Sequence, residues 1–132
     1  MSTPIDSLLR ALIGEDLAEV IFVRDYVQLG FDGPRLSLFV WPRVTLGSTV
    51  REIGESGYRD ALCDLIGHFV VDVEESSASG LVLNFDIGSV TVKPTPPELI
   101  GPEIAMLSGF VDRPDWMVWR PGEEPFDGPE WS

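Results

Sequence analysis

Two stretches of the chain carry apolar residues at helical spacing. Ile5, Leu8, Leu9, Leu12 and Ile13 fall at i, i+3, i+4, i+7 and i+8, one stripe along a helix. Tyr58, Ala61, Leu62, Leu65 and Ile66 repeat that stripe. Thr3 is placed to cap the first helix, with Pro4 at its first position and Asp6 three residues after the cap. Ser56 or Gly57 starts the second helix, and Gly14 and Gly67 stand where a left-handed C-terminal cap is wanted. After each glycine the apolar period drops to two. The spacing predicts strands near 17–23, 26–31 and 35–41, and again near 69–75, 80–85 and 89–93. Val27, Leu29 and Phe31 share a face that Leu36, Leu38 and Val40 continue on the next strand. Phe31-Asp32-Gly33-Pro34 supplies the turn between them, and Ser76-Ser77-Ala78-Ser79-Gly80 a looser one in the second set.

The two sets align. Residues 9–42 match 62–96 with one insertion, giving nine identities over 34 positions. The identities are Leu9, Leu12, Ile13, Gly14, Val20, Leu29, Phe31, Asp32 and Pro42 with Leu62, Leu65, Ile66, Gly67, Val73, Leu83, Phe85, Asp86 and Pro96. The expected fold is therefore α+β: an internal duplication of a helix plus a three-stranded antiparallel meander, related by a pseudo-twofold. It forms one domain over 1–132, with repeat 1 at about 3–42, a linker 43–57, repeat 2 at about 58–96 and a C-terminal segment 97–132. Within the linker, Val44-Thr45-Leu46 and Thr49-Val50-Arg51 flank Gly47-Ser48 as a hairpin. In the C-terminal segment, 97–107 reads as a short helix and 116–119 as a strand.

The copies differ on the strand face opposite the shared one. Ile21, Val23, Phe39 and Trp41 stand where the second copy has Glu74, Ser76, Lys93 and Thr95, and Tyr26 adds another aromatic. Repeat 1 thus has two apolar faces, and something must cover the second. One cover is the C-terminal segment folding back, with Ile104, Leu107, Trp116 and Trp119 over that face. The other is a binding partner, anchored on Ile21, Val23, Tyr26, Phe39 and Trp41 with Arg24, Asp25 and Arg43 at the rim.

Charge narrows the choice of partner. Twenty-two Asp and Glu against nine Lys and Arg leave a net charge of -13. Nucleic acid and anionic membrane surfaces would be repelled, whereas a basic protein would be steered in. The single cysteine, Cys63, permits no intramolecular disulfide. No apolar run approaches membrane-span length, and Asp6, Arg10, Glu15 and Asp16 interrupt any secretory core near the start, so a cytoplasmic setting is expected.

Catalytic chemistry is thinly represented. One histidine, His68, follows a helix-ending glycine, where a polar or cationic group meets the helix dipole. Cys63 lies between Asp60 and Asp64, whose charges disfavour a thiolate. The carboxylate pairs Glu74-Glu75, Asp112 with Asp115, and Glu123-Glu124 with Asp127 match no established metal loop. No nucleotide-binding or hydrolase motif occurs, so neither a cofactor nor a metal is expected. The phrase Phe22-Val23-Arg24-Asp25-Tyr26-Val27-Gln28-Leu29 with Phe31-Asp32-Gly33-Pro34 resembles small acidic actinomycete proteins of unknown function. That resemblance implies a bacterial cytoplasmic setting and carries no activity. The leading functional expectation is a protein-binding module, such as an immunity-like or regulatory protein masking a basic partner. The alternatives are a homodimer formed through the same face, and a small-molecule binder or cofactor-free enzyme. The last would have its site at the junction of the repeats, near Tyr26, Trp41 and Asp25.

Overall fold

A computed structural model describes residues 8–76, 80–93, 104–109 and 117–119. A 3-10 helix (Leu8–Leu12) precedes strands β1 (Glu19–Val23), β2 (Tyr26–Gly30), β3 (Arg35–Leu38), β4 (Arg43–Leu46) and β5 (Thr49–Arg51). Helix α1 (Tyr58–Cys63) follows, and then β6 (Val70–Ser76), β7 (Gly80–Phe85), β8 (Gly88–Val92), β9 (Ala105–Ser108) and β10 (Met117–Trp119). The strands form two antiparallel five-stranded sheets, in the orders β1-β2-β3-β9-β10 and β6-β7-β8-β4-β5. The molecule is sheet-rich, with one short α-helix among the described residues.

The period-two reading places the core well. Val27, Leu29, Leu36, Leu38, Leu81, Leu83, Val90 and Val92 are all fully buried. In the first sheet Val20 lies opposite Leu29, Leu29 opposite Leu36 and Leu36 opposite Leu107, so one row of side chains crosses four strands. The second sheet builds the matching row from Val73, Leu83, Val90 and Val44. Both rows, with Leu9, Leu12, Tyr58, Leu62 and Leu65, belong to one hydrophobic cluster. Fully burying a leucine contributes roughly 1.5–3 kcal/mol, so this cluster is what holds the two sheets together.

The linker hairpin forms as read, but it does not stay with its own meander. β4 leaves the first sheet and pairs with β8, while β9 crosses back and pairs with β3. The expected helix over 97–107 is corrected at its described end: Ala105–Ser108 is a strand whose burial alternates buried and half-buried. The open edge of β3 explains the choice, since its free N–H and C=O groups need partners and an adjacent strand supplies them. Residues 97–103 lie outside the described residues, as do Thr3, Pro4, Ile5, Asp6, Thr95 and the loop 77–79.

The helical stripes are also shorter than read. Ile13 and Ile66 are exposed at 37% and 41%. Each follows a tight turn, Ile13 N–H donating to Arg10 O and Ile66 N–H to Cys63 O. The chain then reverses at Gly14 and Gly67, both with φ of 91°, a conformation that strongly favours glycine. Those reversals bring 14–17 and 67–70 side by side. Gly14 N–H donates to Val70 O (2.7 Å) and Gly67 N–H to Leu17 O (2.8 Å). Leu17 N–H donates to His68 O (2.9 Å) and Val70 N–H to Glu15 O (3.1 Å), and Asp16 lies opposite Phe69 in an isolated bridge.

Where the chain crosses between sheets, one polar contact is buried. The Tyr58 hydroxyl donates to the carbonyl of Pro42 at 2.6 Å. Burial raises the phenol well above its ordinary value of 10.0. The unfolded chain therefore loses this proton first. The contribution of Tyr58 to stability is flat below about pH 10 and falls by up to about 1.4 kcal/mol per pH unit as the pH rises beyond it. Tyr58→Phe removes this tyrosine's share of that fall and leaves the Pro42 carbonyl unpaired, at a cost of about 1–3 kcal/mol at neutral pH. Urea unfolding of both proteins at neutral and alkaline pH checks both effects. Equal stability at neutral pH would show that the bond contributes nothing.

Candidate functional site

The surface expected on the outer face of repeat 1 is only partly assembled. Ile21 and Val23 on β1, Tyr26 on β2 and Phe39 after β3 are half-buried. Val23 pairs with Tyr26, and the Tyr26 and Phe39 rings stand 5.3 Å apart at 45°. Arg24 and Asp25 form the exposed turn beside them. The rest of the face is polar and cross-linked. Arg35 binds Glu19 Oε2 (2.8 Å) and Gln28 Oε1 (3.3 Å), and Gln28 donates to Ser37 Oγ (3.1 Å). Ser37 and Val118, on the same face by register, are only 8% and 3% exposed. This face is therefore partly closed to solvent.

Two expectations about it are corrected. Trp41 does not extend the aromatic row, because β3 ends at Leu38 and the chain bends at Phe39, whose N–H donates to Ile104 O. Trp41 instead packs against the core from the crossover into the second sheet. Nor do Ile104, Leu107 and Trp119 lie over the outer face: they are buried in the shared core, since β9 and β10 extend the sheet edgewise. Trp116 lies outside the described residues.

A different surface carries the open apolar area. Among the described residues, the exposed large hydrophobics are Ile13, Val50, Ile53, Ile66, Phe69, Val71 and Ile87. Four of them, Ile13, Ile66, Phe69 and Val71, sit on or next to the two segments that hydrogen-bond at the Asp16–Phe69 bridge. Phe69 and Val71 are each 44% exposed and flank the inward-pointing Val70, so both face out. Carboxylates neighbour these residues: Asp16 lies across the bridge from Phe69, with Glu15 beside it, Asp72 follows Val71, and Asp64 stands two residues before Ile66. His68 is held by Asp86, Nδ1 to Oδ1 at 2.9 Å. Reading the helices as stripes ending in Ile13 and Ile66 hid this site.

Cys63 is exposed. Among the described residues no three His, Cys, Asp or Glu side chains come together as a metal-binding group. The Glu74 carboxylate accepts from Asn84 Nδ2 at 3.1 Å, while Asp112, Asp115, Glu123, Glu124 and Asp127 lie outside the described residues. No described helix is long and apolar enough to cross a membrane. Comparison with protein-family models, curated proteins and solved structures finds no match to this chain.

Proposed function

We propose that the chain is a protein-binding module, built from two copies of one unit, that docks a basic protein through the apolar patch around Phe69. The observation that carries this is four exposed apolar residues, Ile13, Ile66, Phe69 and Val71, at one junction, with Glu15, Asp16, Asp64 and Asp72 as chain or bridge neighbours, on a chain of net charge -13. An apolar centre with a charged rim is how interfaces are commonly built, and the sign of the rim selects a cationic partner. The Phe69 patch is favoured over the Tyr26–Phe39 face because its side chains are more open to solvent. An immunity-like or regulatory protein that masks a basic surface is the concrete form of this reading.

The duplication supports the choice of surface. Each unit would contribute a helix, a meander to one sheet and a hairpin to the other. Interchanging the units converts the order β1-β2-β3-β9-β10 into β6-β7-β8-β4-β5. The four hydrogen bonds at the junction are reciprocal between aligned residues, Gly14 with Gly67 and Leu17 with Val70. Equivalent positions share what folding needs, so a difference at the junction points to use. Asp16 and Ala18 in the first unit align with Phe69 and Val71 in the second.

The test is capture from a lysate of the source cells at low salt, with Phe69→Ser beside the parent. Phe69 is exposed, so the variant is expected to keep its thermal midpoint within a few degrees. Losing a central aromatic anchor costs about 2 kcal/mol, or roughly thirtyfold in affinity. A basic protein held stoichiometrically by the parent, released by salt and lost by the folded variant is the expected result. Equal capture by both proteins would remove the patch from the reading. A parent that only self-associates, against a monomeric variant, would make the patch a homodimer face and end the basic-partner reading.

A further inference from the structure

A cleft lies at the crossover that carries Trp41, well separated in sequence from Phe69. It encloses about 250 Å³ and is walled by Trp41, Arg43, Glu52, Ile53, Thr91 and Lys93. Its floor is Val40 and Pro42, both buried, with the Pro42 carbonyl held by Tyr58. The opposite wall is fixed too. Glu52 N–H donates to the Glu55 carboxylate (2.6 Å) and Glu55 N–H to Glu52 O (3.0 Å), a reciprocal pair that locks the turn carrying Ile53. The cavity is thus preformed, which spares a ligand the cost of ordering it.

Its charge runs against the rest of the molecule. Lys93 is the chain's one lysine, is exposed and has no partner among the described residues. Arg43 lies opposite Thr91 in the β4–β8 register, so Lys93, two residues beyond Thr91, stands diagonally across from it. Arg43 uses Nε to bind Glu52 Oε2 at 3.2 Å, which leaves its two terminal nitrogens as donors. Lys93, Arg43 with Glu52 on its Nε, and Thr91 therefore line a cleft whose apolar lining includes Trp41 and Ile53, 44% exposed. An indole and an aliphatic wall receive a flat apolar ring, and the cations receive a carboxylate at its edge. The volume is just below the usual range for ligand pockets, about 300–1,000 Å³, and suits a ligand of one ring.

The geometry points to a binding site for a small planar aromatic carboxylate, its ring against Trp41 and its anion on Lys93 and Arg43. This stands apart from the protein-docking patch.

The experiment is titration of the full-length protein with benzoate, benzamide and inorganic phosphate, followed by proton–nitrogen correlation spectra. Benzoate is expected to give saturable shifts at the Trp41 indole N–H and the amides of Thr91 and Lys93. Benzamide, which has the ring without the charge, is expected to bind about tenfold more weakly. Phosphate should shift Lys93 without the Trp41 indole. Lys93→Gln, an exposed change compatible with folding, should weaken benzoate about fivefold. Phe69→Ser should leave benzoate binding unchanged, so the two proposals fail separately. Benzoate and benzamide binding equally, Lys93→Gln without effect, or no localised shift at millimolar benzoate would each overturn the assignment.

Discussion

Gly88→Ala is expected to prise β4 from β8 and to destabilise the protein by about 3 kcal/mol or more. Gly88 opens β8 opposite Leu46, at the place where the β4 backbone passes closest. A Cβ built there would overlap the carbonyl oxygen of Thr45 and meet Leu46 Cδ2 at 3.0 Å. A carbonyl locked in a strand cannot swing aside as a flexible side chain can, so the strands must separate. The loss is carried by the exchange of hairpins, because β4 holds β5 in the second sheet. Gly47→Ala is the control: its φ of 61° costs an alanine about 1 kcal/mol, but nothing lies within 4 Å. Thermal unfolding compares the two, with a drop of roughly 10 °C or more expected for Gly88→Ala. Hydrogen exchange should show Val44–Leu46 losing protection first. Equal midpoints for the two variants would refute this account of the β4–β8 contact.

Leu36→Ala should cost about 3–5 kcal/mol, through lost transfer energy and the cavity left behind. Leu36 is fully buried between Leu29 on β2 and Leu107 on β9. Among the described strands β9 joins the first sheet through β3, so the cavity opens at the seam where β9 and β10 attach. The β9 and β10 amides are expected to lose exchange protection ahead of β1 and β2. A denaturant midpoint within about 1 kcal/mol of the parent, or uniform loss of protection, would mean the hairpin is held by something else.

The elements were legible wherever local pattern and burial agree. Alternation at Val27-Leu29 and Leu36-Leu38 placed the first meander, and Leu81-Leu83 with Val90-Val92 the second. A side chain's face in a strand follows from its position alone. The Gly47-Ser48 turn was equally plain, since turn chemistry is local. The sites were less legible. Ile21, Val23, Tyr26 and Phe39 do share one side of the first sheet, but Trp41 parts from them because the strand ends three residues earlier. The exposure of Ile13, Ile66, Phe69 and Val71 depends on how two distant segments cross, which no window of sequence contains.

By itself the sequence determined the apolar rows, the turns, the glycines at both reversals and the acidic balance. Each of these depends on residues within a few positions of one another, or on a sum over the chain. Tertiary structure alone decided which sheet each hairpin joins, that Ala105–Ser108 is a strand, and where apolar surface stays open. The physical reason is that a strand's edge will pair with any segment offering free N–H and C=O groups at the right spacing. The residues of β9 carry no mark naming β3 as their partner. That choice was made by burial, when Leu107 found its place beside Leu36.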